Sequence, residues 1–304
     1  MAVAFEVTLL GVNSAIPVNG RHPSCQVVRY DNVMLMIDCG EGTQQQLSRY
    51  HIKRSKISDI FISHLHGDHC FGLPGMLTTE SLQRRTTPLT VHGPVGLKRF
   101  IETVLECSGS VISYELTIIE YSTVQRNVIP IGNDLEVSTF PLDHRIPTMG
   151  FLVKEKNISR NILPEKIEQL GLSIAEIKAV KDGSDITRAE HSIANADLIK
   201  PVESRRAYAY VSDTKYNIDV VDDIVDATTL YHETTYLDDM KVLAAERMHT
   251  TIGGAVDIAL RAKCRQLITG HYSSRYKDVR IFETEGRKLW NGVQLGIEGK
   301  TYAV

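Results

Sequence analysis

Short apolar runs and amphipathic stretches alternate along the 304 residues. FEVTLLGV, CQVVRY and VMLMIDCG, beginning at Phe5, Cys25 and Val33, have strand length and lie between turn residues, so they predict three early strands. GEGTQQQLSRYHI, entered through a glycine turn, predicts a helix, and DIFISH from Asp59 predicts another strand. In GPVGLKRFIETVLECSG, residues Leu97, Phe100, Ile101, Val104 and Leu105 recur at three- and four-residue spacing, which predicts an amphipathic helix ending near Gly109. LEVSTFPLDH, MGFLVKE, RAYAYVSD, DATTLYHE and RQLITGHY predict later strands; LDDMKVLAAER and GGAVDIALRAK predict later helices. A run of strands followed by strand–helix alternation predicts an α/β sandwich, two packed sheets with helices covering them.

Residues 155–205 break this rhythm. Between 154 and 206 there are ten Lys/Arg and nine Asp/Glu. Pro164 suits the first turn of a short helix, SIAE at 173–176 fits a capping box, and Asp182–Gly183 ends a second helix. The segment reads as an inserted arm of two short helices with a loose tail and without a core of its own. The chain is otherwise expected to form one domain over 1–304.

Composition narrows the class. Hydrophobic residues make up 42%, enough for a full core, and the net charge of -3 excludes a broadly basic nucleic-acid binder. The start, MAVAFEVTLLGVNSAIP, has no basic region and carries Glu6, so it reads as a strand rather than a signal peptide. No apolar run approaches the roughly 20 residues of a membrane span. Five cysteines without a C-x-x-C pair predict free thiols in a reducing cytoplasm.

The sharpest chemical signal is DIFISHLHGDHCFG, which crowds His64, His66, Asp68 and His69 into six residues at a strand end. Four such groups need partners that an apolar core cannot offer. Gly67 is expected to permit the bend between them. Other predicted strands end in His144, Asp213, His232 and His271. Neighbouring strands would bring these ends to one rim. His64, His66 and His144 can form one metal site, Asp68, His69 and His271 a second, with Asp213 bridging the two. Mixed histidine and carboxylate ligands suit zinc, with manganese or iron possible.

The H-x-H-x-D-H cluster resembles the metallo-β-lactamase superfamily. DCGEGTQQQL at 38–47, SHLHGDHCFGLPGML at 63–77, PLDHRIPTMGF at 141–151, YVSDT at 210–214, HETTY at 232–236 and MHTT at 248–251 extend the resemblance to the ribonuclease Z family, in that family's order and over most of the chain. The resemblance implies a four-layer αβ/βα fold, two zinc ions per subunit, a homodimer and precursor tRNA as substrate. It implies the same seven ligands, Asp38 as a brace for the metal loop and Asp68 as proton acceptor. H-E-T-T stands here where the family has H-E-A-T. The 155–205 insertion corresponds to the family's tRNA-binding arm, without a glycine–proline-rich tip.

The mechanism expected on these residues is attack of a metal-bridging hydroxide on phosphorus. His249 is the expected donor to the departing 3′ oxygen, and His232 and Glu233 are expected to orient either His249 or the ligands. The products would be a 3′-hydroxyl tRNA and a 5′-phosphate trailer. Lys154, Lys156, Arg160, Lys166, Lys178 and Lys181 on the arm are the expected phosphate contacts. Two rivals share parts of this pattern: another hydrolase on the same scaffold, such as a small-molecule phosphodiesterase or lactonase, and a non-catalytic RNA-binding protein with a structural metal.

Overall fold

The computed structural model describes residues 3–156, 161–188, 191–200, 205–225 and 227–304. Two seven-stranded sheets organise it. The first runs, in spatial order, Thr301–Ala303, Phe5–Gly11, Cys25–Tyr30, Val33–Ile37, Ile57–Phe61, Leu89–Pro94 and Leu116–Tyr121. Its early strands pair antiparallel, and from Val33–Ile37 onward the pairing is parallel. The second runs Val293–Leu295, Gln266–Gly270, Thr229–Glu233, Ala207–Val211, Thr148–Glu155, Leu135–Leu142 and Asn127–Ile131. The four strands from Ala207–Val211 to Val293–Leu295 are parallel.

Each sheet has a helical cover. Leu47, Leu73, Met76, Leu77, Leu97 and Ile101 come from the helices Thr43–Arg49, Leu73–Leu82 and Leu97–Cys107, and pack on the first sheet through Val27, Met36, Ile60 and Val91. Ile252–Arg261 and Arg280–Leu289 pack against the second sheet. Between the sheets, Phe61 meets Phe151 edge-on at 5.4 Å, and Tyr208 donates to Gln26. These contacts make a helix–sheet–sheet–helix sandwich, the α/β class expected. Burial of nearly every residue in Ala207–Val211 explains its continuous apolar sequence: a central strand covered on both faces has no solvent side to mark with polar residues.

Among the helices of ten residues or more, Leu73–Leu82 and Arg280–Leu289 have no counterpart among the predicted elements. The first has most of its apolar residues in LPGML and its polar ones in the TTES that follows, and carries a proline in its first turn, so its sequence lacks an amphipathic stripe.

The chain divides into two compact units: residues 1–129, 137–153 and 207–304, and residues 130–136 with 154–206. The second unit corrects the expectation of a coreless arm. Its helices Pro164–Leu170 and Ile174–Lys181 do form, the latter with the Ser173–Glu176 capping box. They are joined by a hairpin, Ile186–Arg188 with His191–Ile193, and a short helix Asn195–Leu198. Ile162, Leu172, Val180, Ile186, Leu198 and Ile199 gather into a small buried cluster of their own. These six residues are scattered over 38 positions without a common period, which hides them from a periodicity reading. At the unit's base, Arg206 donates through its guanidinium and backbone N–H to Glu155.

Candidate metal centre

Several strands deliver side chains at their C-terminal ends, where backbone leaves the sheet and side chains can converge. Ile57–Phe61 leads into His64, Leu135–Leu142 into His144, Ala207–Val211 into Asp213, and Gln266–Gly270 into His271. One ligand-type atom from each of His64, His66, His144 and Asp213 lies within 4.8 Å of the others, and the same holds for Asp68, His69, Asp213 and His271. The seven residues therefore come together as two groups that share Asp213. Its Oδ1 is 3.1 Å from His271 Nε2 and 3.5 Å from His69 Nε2. Its Oδ2 is 3.7 Å from His144 Nε2 and 3.8 Å from His64 Nε2.

Protons alone leave this arrangement unsatisfied. Oδ1 of Asp213 is buried and accepts no hydrogen bond from the described residues, a state that costs about 1–3 kcal/mol for a polar group. His66 Nδ1 faces both His64 Nε2 at 3.1 Å and His144 Nε2 at 3.3 Å, and His69 Nε2 faces His271 Nε2 at 3.3 Å. Converging imidazole nitrogens and an unfilled carboxylate oxygen fit a cation in each group.

In four of the five histidines the opposite ring nitrogen is engaged. His64 Nδ1 meets Ser63 Oγ at 3.0 Å, His69 Nδ1 meets Asp38 Oδ2 at 2.7 Å, His144 Nδ1 meets the Met248 carbonyl at 3.0 Å, and His271 Nδ1 meets Thr235 Oγ1 at 3.0 Å. Such partners fix which nitrogen faces the site. Asp38 also accepts from the Ser63 N–H and hydroxyl and from the Tyr210 hydroxyl, so one buried carboxylate ties three elements together. Asp68 Oδ2 accepts the Ala15 N–H at 2.7 Å. Ala15, Asp38, Met248 and His271 all have left-handed φ between 58° and 63°. Strain of this kind gathers where the chain must aim a group rather than relax.

Charge follows the same geometry. Burial works against a charged His69, but Asp213, Asp38 and Asp68 outweigh it and raise its pKa well above the ordinary value. Burial, with the neighbouring His69 charge, pushes His64 well below. Burial opposes ionisation of Asp68, yet His69 and His271 hold its carboxyl below the usual range.

His249 stands at the edge. Its Nδ1 lies 2.9 Å from Glu233 Oε1, which also accepts the Thr250 and Thr214 N–H groups. Thr235 donates its N–H and hydroxyl to Glu233 Oε2. Burial opposes both charges, but the pairing prevails: the Glu233 carboxyl is lowered and the His249 imidazole is raised to about 9. His249, Asp68, Asp213, His66 and His144 line a cleft of about 670 Å³.

Not every predicted residue joins the site. His232 and Glu233 are adjacent on one strand, so their side chains point to opposite faces. Glu233 reaches His249; His232 is buried against the Glu233 carbonyl at 2.7 Å and has no contact with the clustered residues among those described. Gly67 does not have positive φ; a β-carbon there would collide with the Phe71 ring, so close approach rather than a bend calls for glycine. Lys154, Lys156, Lys166, Lys178 and Lys181 belong to the other compact unit, and Arg160 lies outside the described residues. Ser63, Thr235 and the Ala15 amide hold His64, His271 and Asp68 without being among the predicted site residues. Ser63 and Thr235 sit inside the quoted motifs and could have been found there; a backbone amide leaves no mark in sequence.

A family model described as Anti-Pycsar protein Apyc1 matches residues 5–158. A ribonuclease Z of Bacteroides fragilis (strain YCH46) is 38% identical over 295 residues, 97% of this chain and 97% of that protein. The crystal structure of human tRNase Z, short form, matches with a TM-score of 0.72 at 26% identity, covering 98% of each chain. The metallo-β-lactamase fold protein YhfI from Bacillus subtilis matches with a TM-score of 0.70 at 15% identity, over 99% of this chain and 100% of that one, a likeness of fold. The sandwich is thus the metallo-β-lactamase fold. Over residues 5–158 the chain belongs to the domain family described by Anti-Pycsar protein Apyc1, and over nearly its full length it belongs to the ribonuclease Z family.

Proposed function

We propose that this chain removes the 3′ trailer from precursor tRNA by hydrolysis at two metal ions, zinc in the first instance and manganese or iron as alternatives. The observation that carries the reading is Asp213, with one oxygen among the nitrogens of each histidine group. The donor set of imidazole nitrogens and carboxylate oxygens suits zinc.

Two bound divalent ions would make a shared water acidic near neutral pH and take up charge on the phosphate. The chain's own groups supply the proton transfers. Asp68, aimed by the Ala15 amide, receives the proton of the attacking water. His249, anchored at Nδ1 by Glu233, donates to the departing ribose 3′ oxygen. In the metal-free protein, burial opposes the charge but pairing with Glu233 raises the imidazole to about 9, so His249 there carries a proton to donate. Because water attacks and the 2′-hydroxyl is a spectator, the products are a 3′-hydroxyl tRNA and a 5′-phosphate trailer. The unit containing 154–206 reads the folded tRNA through Lys154, Lys156, Arg160, Lys166, Lys178 and Lys181, since structured RNA is recognised by shape and phosphates. The working assembly is a homodimer, testable by sedimentation as twice the 34.0 kDa chain mass.

The direct test is incubation of purified protein and zinc with a 3′-extended tRNA precursor, beside a chromogenic phosphodiester, followed by end-group analysis. A 2′,3′-cyclic phosphate on the tRNA would overturn the water mechanism. Turnover of the small ester alone would move the chain to a small-molecule phosphodiesterase.

A further inference from the structure

We propose that Arg145, Arg247 and Arg275 form a phosphate-binding rim that holds the RNA strand on both sides of the scissile bond. The inference rests on the nuclease reading above. All three arginines are exposed and line the cleft that contains the histidine groups. Each is carried by a loop that also delivers a site histidine: Arg145 follows His144, Arg247 lies two residues before His249, and Arg275 lies four after His271.

Their lack of partners separates them from most arginines in the protein. Nine others have a carboxylate within ion-pair distance, for example Arg29 with Glu6 and Arg85 with Glu80. Among the described residues none of the three cleft arginines has one, although Glu41 lines the same cleft. Arg275 is instead laid over the Tyr236 ring, its guanidinium carbon 5.4 Å from the ring centroid. That contact restricts the side chain, so less entropy is lost when an anion binds. With a net charge of -3, the chain cannot attract a polyanion through its overall field. Attraction has to be local, and this is where positive charge without an internal partner meets the cleft. The scissile phosphate belongs between the histidine groups; the rim takes the phosphates before and after it.

The test is the salt dependence of kcat/KM on a 3′-extended tRNA precursor, for the parent protein and for Arg145→Ala, Arg247→Ala and Arg275→Ala, singly and combined. Each phosphate contact to a single strand contributes about 0.7 to the slope of log(kcat/KM) against log[salt]. The triple variant should therefore lose about 2 units of slope, with the loss entering through KM. Arg99→Ala, an exposed arginine on the helix Leu97–Cys107, should leave the slope alone. Arg145→Lys with Arg247→Lys should keep it, which guards against a folding defect in the alanine variants. An unchanged slope in a folded triple variant overturns the rim. Failure of the parent protein to cut both the precursor and a chromogenic phosphodiester would instead overturn the nuclease reading.

Discussion

Asp213 is the residue on which most of the site converges, and its removal has the widest consequence. Asp213→Ala takes a candidate ligand from both groups, so metal analysis should find both ions weakened, whereas His144→Ala should cost one. Asp38→Asn should lower metal affinity about 10–100-fold without touching a ligand, because it loosens the His69 ring. His249→Ala should retain metal and lower kcat by about 10²–10⁴-fold, with a smaller loss on an ester whose leaving group needs no proton. Equal losses on both substrates would make His249 a positioning group. The raised His249 pKa also has a sign for stability. In metal-free protein, its pairing with Glu233 contributes fully below the free imidazole value of 6.5 and fades as pH rises through about 9. The gap in Tm between the parent and His249→Gln, both metal-free, should therefore narrow between those pH values.

Among the elements, the unit built on 154–206 is the natural target. Its buried cluster and the Glu155–Arg206 base make it separable from the histidine groups. Replacing residues 157–204 with a short Gly/Ser linker keeps that base and removes the cluster as a whole, so no half-core is left exposed. Precursor cleavage should then weaken mainly through KM, while hydrolysis of a small phosphodiester persists. Equal processing by the shortened protein would place tRNA reading elsewhere in the molecule.

For the molecule as one thermodynamic body, metal and folding are linked. The two groups gather five histidines and two aspartates from strand ends far apart in sequence, so the unfolded chain presents no preformed site. Free metal at 100 times its dissociation constant should stabilise the folded state by about 2.7 kcal/mol. Chelation should lower Tm and abolish turnover, and re-addition should restore both; elemental analysis should give two ions per chain. No helix among the described residues is long and apolar enough to cross a membrane.

The chain's own order of residues determined more chemistry than architecture. His64, His66, Asp68 and His69 are legible because they lie in one turn, and His144, Asp213 and His271 because each closes a strand whose apolar run is visible beforehand. The capping box at Ser173 is legible for the same reason: both partners are three residues apart. What escaped were contacts between segments with no shared period. The Ala15 amide on Asp68 joins positions 53 apart, the Tyr210 hydroxyl on Asp38 joins positions 172 apart, and the arm's cluster draws on six isolated apolar residues. His232 shows the converse, a residue with the right chemistry turned away by strand alternation. Local covalent spacing sets which groups a short segment can present. Which of them meet is settled by sheet order and packing, and neither is written in any one stretch of the chain.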